Sequence, residues 1–330
     1  MMRQSFLFAG LGATLILTSP AVAADAPQSA PPTQSCRLVR MESLDVDTQP
    51  TGEIAVPVSL NEKPFTLLVD TGSDTSTVSA DVAAQLNVAT MYTPFGGAFL
   101  NNVAVTQMGY VKSFAFGRLH SSTAWPMFIA PEDVLTPPIS GLVGADVLAN
   151  YDIEFDFVAG KMNFFAPTDC PSPVYWSANY AEVPIQFDAE KHVVVDAQLD
   201  GKPLKVILDT GAPSSLMSLD AAQNLYDWDD NDPRVVYDKT LPLNGGAITR
   251  FYKYPFSTLS FGGVSVQNPK IVLIPKANFM AHRRDKGTVI LGMSVIRQLH
   301  LFVAYREKKL FVTPAEQPPL PPPPAPAPAK

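Results

Sequence analysis

Apolar positions along this chain fall into short, mostly alternating runs, and the runs come twice in the same order. Residues 53–60 (EIAVPVSL) place apolar side chains at alternate positions, as a strand buried on one face does. Asn61-Glu62-Lys63-Pro64 then reads as a turn, and 65–69 as a strand running into Asp70. The pattern returns at 192–199 (HVVVDAQL), followed by the turn Asp200-Gly201-Lys202-Pro203 and a strand at 204–208 running into Asp209. Lys63 and Lys202, Asp70 and Asp209, and Ser79 and Ser218 all stand 139 positions apart. Between 67–86 and 206–225, eight of twenty positions are identical. Ser79 and Ser218 predict N-caps of short helices, with Asp81 and Asp220 in their first turns. Each half next shows a Gly-Gly pair, Gly96-Gly97 and Gly245-Gly246, then strand-like runs at 111–116 and 125–130, or 256–261 and 270–275. The pairs stand 149 apart, which places about ten extra residues in the second half, assigned to the polar stretch 227–233. The last shared block, GLVGADVLANYDIEFDF from Gly141 and VILGMSVIRQLHLFVAY from Val289, predicts apolar strand, glycine, short helix and strand. Final strands are expected at 162–165 and 310–313, and an outer strand at 38–44.

The two ends differ from this plan. The first 23 residues carry one early cation, Arg3, and an apolar run ending in Ala21-Val22-Ala23, which predicts a signal peptide. The run of about a dozen residues is too short to span a bilayer. A leader rich in Ala, Pro, Ser and Gln follows at 24–35, and the Pro-rich tail 317–330 predicts an extended, solvated segment. The first half is then expected over 36–170 and the second over 171–316, with the boundary near Pro171. The chain of 330 residues is 46% hydrophobic, enough for two lobes of ordinary size. Its net charge of −7 becomes one unit more negative without Arg3, and no block of Lys or Arg invites nucleic acid or anionic lipid. Only Cys36 and Cys170 are present; in an oxidising compartment an isolated pair favours a disulfide over two free thiols.

The candidate chemistry sits in the repeat. An apolar strand leading into Asp-Thr-Gly predicts a sharp loop that holds a carboxylate, and two such loops face to face would bring Asp70 and Asp209 together. The bland alternative, a capping aspartate in a strand-to-helix turn, is disfavoured by the duplicated context. Ser76 and Ser215 read as structural turn hydroxyls, and Asp146 as an N-cap whose place Ser294 takes in the second half. His120, His192, His282 and His300 lack metal-ligand spacing, and the acids of 227–232 lack the Gly and Glu of a calcium loop. Trp125, Trp176 and Trp228 read as packing residues or cleft wall.

DTG followed by Ser73 or Ala212, with an apolar-apolar-Gly block later in each half, resembles the retropepsin and pepsin-like aspartic peptidases over about 53–165 and 192–314. The resemblance implies an all-β, bilobal acid-protease fold: two pseudo-symmetric, barrel-like lobes with short helices. It implies catalytic Asp70 and Asp209, which share one proton and activate a water. Thr71 and Thr210 would cross-brace the loops, Gly72 and Gly211 would admit backbone N–H groups to the carboxylates, and Gly144 and Gly292 would close the loop behind each acid. Gly96, Gly97, Gly245 and Gly246 would mark flap hairpins, with Tyr92, Tyr110 and Tyr252 all open as the flap tyrosine. The fold would also bring together Cys36 and Cys170, which bracket the first lobe. Ser73 but not Ala212 offers a hydroxyl, so Asp70 is expected to be the more readily ionised partner. The implied protein is an exported, periplasmic, monomeric endopeptidase that takes an extended polypeptide and needs no metal or cofactor. A catalytically silent peptide-binding protein on the same fold is the alternative. A glycosidase is weaker, because its acids stand farther apart.

Overall fold

The computed structural model describes residues 37–93, 97–100, 103–121, 123–132, 134–168, 170, 172–228, 231–242, 248–275 and 288–315. The signal-like segment, the leader, Cys36, Gly96, Gly245, Gly246, His282 and the Pro-rich tail lie outside them.

The local signals produce the expected hairpins. In the first, Asn61 and Glu62 take positive φ, so the turn closes in two residues and its strands run over Ile54–Leu60 and Lys63–Val69. In the second, Asp200 and Gly201 do the same between Val193–Leu199 and Lys202–Leu208. Both return strands therefore start two residues earlier than expected, with Pro64 and Pro203 inside them. Ser79 and Ser218 cap the helices Ala80–Gln85 and Leu219–Tyr226, accepting from the Val82 and Ala221 N–H groups at 3.2 and 3.3 Å. The run 111–116 splits into Gln107–Val111 and Phe114–Phe116, because Asn61 Oδ1 accepts from the N–H groups of Lys112 and Ser113 and turns the chain between them.

Each half folds into one large sheet, and the strand order is the same in both. In the first it runs Leu119–Ser121, Phe114–Phe116, Ile54–Leu60, Lys63–Val69, Gly141–Val143, Thr77–Ser79, Trp125–Ala130, Gln107–Val111 and Met91–Tyr92. In the second it runs Val264–Gln267, Thr258–Phe261, Val193–Leu199, Lys202–Leu208, Thr288–Leu291, Ser215–Ser218, Ile271–Ile274, Ile248–Lys253 and Val236–Pro242. Even the sense of pairing repeats: Gly141–Val143 lies parallel to Lys63–Val69, and Thr288–Leu291 parallel to Lys202–Leu208. The duplication thus extends to topology, and the molecule is an all-β, bilobal acid-protease fold.

A third sheet of six strands draws on both halves. Its order is Arg40–Asp45, Lys161–Phe165, Asp152–Asp156, Leu299–Ala304, Lys309–Pro314 and Ala181–Pro184. The halves meet at its centre, where Ile153 pairs with Val303 and Phe155 with Leu301. Phe155, Phe164, Phe302 and Phe311 are all fully buried on it, each worth roughly 1.5–3 kcal/mol of transfer free energy. The sheet sets one half against the other, and with them the two Asp-Thr-Gly loops.

Candidate active site

Each Asp-Thr-Gly loop leaves the end of a buried strand, Lys63–Val69 or Lys202–Leu208. The first residue of each loop is tied to the neighbouring parallel strand, Asp70 N–H donating to Val143 O and Asp209 N–H to Leu291 O, both at 3.0 Å. The threonines then lock the loops to each other. Thr71 N–H donates to Thr210 Oγ1 and Thr210 N–H to Thr71 Oγ1, each at 3.1 Å. The hydroxyls in turn donate to the strand ends opposite, Thr71 Oγ1 to Leu208 O at 2.8 Å and Thr210 Oγ1 to Val69 O at 2.6 Å. Both threonines are buried. Four hydrogen bonds therefore join two loops that lie 139 positions apart in sequence.

Above this brace each carboxyl reaches toward the opposite loop. Gly72 N–H donates to Asp70 Oδ1 at 2.9 Å, and Gly211 N–H to Asp209 Oδ1 at 3.0 Å. A methyl group on Gly72 would lie 2.2 Å from Asp209 Cγ, and one on Gly211 2.3 Å from Asp70 Cγ. Each carboxyl thus packs on the glycine of the opposite loop, where no side chain fits. Asp209 is 9% exposed, whereas Asp70 is more open to solvent.

A second layer lies behind the loops. Ala145 N–H donates to Ser73 O and Met293 N–H to Ala212 O, both at 2.8 Å. Gly144 N–H donates to Ser76 Oγ and Gly292 N–H to Ser215 Oγ, both at 3.1 Å. Ser76 and Ser215 are fully buried structural hydroxyls. Asp146 departs from expectation. Gly144 occupies the N-cap position, and Asp146, inside the helix Ala145–Leu148, accepts from Ser76 Oγ at 2.8 Å and Trp125 Nε1 at 3.3 Å. Burial pushes its carboxyl up, against the pull of these donors. Ser294 takes the same place in the second half, with its hydroxyl 3.2 Å from that of Ser215.

The expected role of Ser73 is not found. Its hydroxyl donates to Thr75 O at 2.9 Å, so its one proton is committed inside the loop rather than to Asp70. The halves differ instead in the apolar packing that follows each loop. Ala212, Leu216, Phe251 and Val272 pack against the buried Ile274 and Ile290. The register equates Ala212, Leu216 and Ile290 with Ser73, Thr77 and Leu142 of the first half, so the packing in the second half is the more apolar.

Both halves carry a hairpin at the far edge of the sheet. Met91–Tyr92 pairs with Gln107–Val111, and Ala98–Leu100 pairs with Val103–Val105 farther out. Val236–Pro242 pairs with Ile248–Lys253 in the second half. Gly97 belongs to the first hairpin; the other three flap glycines fall outside the described residues. Tyr92 is 78% exposed, Tyr110 is exposed too, and Tyr252 packs against the core. Sequence reasoning overlooked one buried cluster on the six-stranded sheet. Glu154 accepts from Asn163 Nδ2 at 2.8 Å and Tyr175 OH at 2.7 Å, and its Oε1 lies 2.8 Å from His300 Nε2. His300 stacks on Trp176 at 4.0 Å. Glu154, flanked by Ile153 and Phe155, and His300, inside the apolar run LHLFVA, are the signal that could have found it.

No helix among the described residues is long and apolar enough to cross a membrane. Among solved structures, an aspartic proteinase from Irpex lacteus is similar, with a TM-score of 0.53 at 14% identity, over 83% of this chain and 97% of its own. Basic 7S globulin from soybean aligns with a TM-score of 0.49 at 10% identity, over 85% and 97%. At such identity the Irpex likeness speaks to the fold alone. No curated protein matches the chain. The family model described as Aspartyl protease matches twice, at residues 56–147 and 195–295, one match for each loop. The chain belongs to the aspartyl protease family.

Proposed function

We propose that the protein is an aspartic endopeptidase in which Asp70 and Asp209 activate one water between them. The observation that carries this reading is the reciprocal packing of each carboxyl on the opposite loop's glycine, above the Thr71–Thr210 brace. Two carboxyl groups that share one site cannot both ionise cheaply, so in this reading the pair retains one proton. The ionised member takes a proton from water as its oxygen bonds to the peptide carbonyl carbon, and the protonated member gives its proton to the carbonyl oxygen. As the diol collapses, one of its hydroxyls returns a proton to the ionised member and the C=O re-forms, the C–N bond breaks, and the other member gives its proton to the leaving amine, so the pair again holds one proton. Nothing in this cycle calls for a metal or cofactor.

The substrate is read as an extended polypeptide bound by main-chain hydrogen bonds. The apolar wall of Ala212, Leu216 and Ile290 favours a large apolar side chain on one side of the cut bond. Both loops come from one chain, which supports a monomer. The periplasmic setting and the lobe boundary near Pro171 rest on sequence, as does pairing of the buried Cys170 with Cys36; two free thiols in the mature protein would remove that pairing. The silent peptide-binder alternative shares the fold and differs in chemistry. The test is digestion of a diverse peptide pool across pH, with Asp70→Asn as control: cut peptides from the wild type alone support the enzyme, and intact peptides that still bind support the alternative.

A further inference from the structure

Where the turn 305–308 joins two strands of the six-stranded sheet, a cavity of about 230 Å³ is bordered by Asp152, Thr168, Cys170, Phe302, Glu307 and Phe311. Asp152 is 1% exposed. Its Oδ2 accepts from Thr168 N–H at 3.3 Å, while its Oδ1 is buried without a partner. Glu307 Oε1 accepts from Arg306 Nε at 2.9 Å, and its Oε2 is likewise buried without a partner. Lys309 also borders the cavity, but its ammonium is engaged by Glu182 at 2.6 Å. Two carboxylate oxygens without a hydrogen-bond partner, one from each half of the duplicated chain, thus line one cavity, and the Arg306 guanidinium beside them offsets only part of their charge.

Leaving a carboxylate oxygen buried and unpaired is costly, and a second acid of like sign beside it adds to the cost. Water would supply hydrogen bonds but leave the charge. A cation ligates the oxygens and neutralises their charge. The carboxylate oxygens of Asp152 and Glu307 are hard donors. The cavity exceeds the volume of several waters at roughly 30 Å³ each, so solvent can complete a shell of about six to eight oxygens. That flexible demand fits calcium better than magnesium, which requires a tight octahedron.

We propose that this cavity binds a calcium-type cation, with Asp152 and Glu307 as carboxylate ligands and water completing its shell. The ion ties the strand Asp152–Asp156 of one half to the turn 305–308 of the other. With so few protein ligands, the dissociation constant falls on the order of 10⁻⁴–10⁻³ M.

The test is made on the full mature protein stripped with a chelator, and it reads stability and metal binding rather than peptidase activity, so it stands apart from the proposed function. Thermal melts in millimolar calcium chloride, in magnesium chloride and in sodium chloride of equal ionic strength are compared for wild type, Asp152→Asn and Glu307→Gln. Terbium luminescence, titrated and then displaced by calcium, reports occupancy. A third variant, Asp188→Asn, disturbs a separate cluster among the described residues, Asp188, Glu190 and His192, whose ligand-type atoms lie within 4.8 Å of one another. The expected result is a calcium-specific rise of several degrees, with one saturable terbium site, in wild type and Asp188→Asn. Both are lost in Asp152→Asn and Glu307→Gln, while circular dichroism shows the variants folded. No calcium response in wild type, or a response undiminished in a folded Asp152→Asn, overturns the proposal.

Discussion

Thr71 and Thr210 each donate a backbone N–H to the other's hydroxyl at 3.1 Å, and each hydroxyl donates a hydrogen bond to the carbonyl at the strand end across the junction. Replacing either by valine keeps the shape but strands a buried N–H and a buried carbonyl. Each single change should cost about 1–3 kcal/mol of stability. Because all four bonds belong to one unit, a double-mutant cycle should show a coupling of about 0.5–3 kcal/mol. Denaturant unfolding of the two single variants and the double measures it; additive losses would mean that the loops are held by something else.

The commitment of the Ser73 hydroxyl to Thr75 O carries its own prediction. Ser73→Ala should leave the acid limb of the pH–rate profile in place and cost about 1 kcal/mol of stability, the net worth of an ordinary hydrogen bond. A shifted acid limb would show that the hydroxyl reaches Asp70 in the working enzyme.

Leu216 stands where the first half has Thr77, with Ile290 opposite one and Leu142 opposite the other. Leu216→Thr should lower kcat/KM about 10- to 200-fold for peptides with a large apolar residue at the selected position. Peptides with a small residue there should change far less. Cleavage-site profiling of both enzymes on one library decides this, and equal losses across the library would remove Leu216 from the specificity wall.

Two buried acids on the six-stranded sheet give pH dependences of opposite sign. Burial alone would raise Glu154, but His300, Tyr175 and Asn163 together hold it below its ordinary value of 4.5. Its contribution to stability is therefore present above that value and lost as pH falls through the lower folded one. Burial, and then the charge of Glu307, push Asp152 up to about 7 from 3.8. The folded protein then holds that proton more tightly than the unfolded chain, so stability declines as pH rises between these values. In chelator, Asp152→Asn should raise stability near pH 8 by a few kcal/mol, and Glu154→Gln should flatten the loss in acid. Melting curves from pH 3 to 8, on the order of one unit apart, check both signs.

The pair of acids was legible because a duplicated local motif keeps one offset, and the hairpins because Asp200-Gly201 and its counterpart announce their turns. The identical strand order of the lobes follows from that same repetition. The six-stranded sheet was not legible: its central pairing, Ile153 with Val303, joins residues from different halves, and no local pattern encodes a partner so distant. Asp146 was misjudged for a related reason. Helix-start rules see only its neighbours, whereas its bond to Ser76 crosses 70 positions. The Ser73 hydroxyl shows the converse, a side chain satisfied two residues away where a more distant partner was expected.

The central claim is that Asp70 and Asp209 act as one unit on one water. The most direct measurement is cleavage of a peptide pool by the purified mature protein and by folded Asp70→Asn and Asp209→Asn variants. Each variant alone should lose activity by about 10³-fold or more, and the double variant should lose little beyond either single one. Cleavage that survives in either single variant would contradict the account.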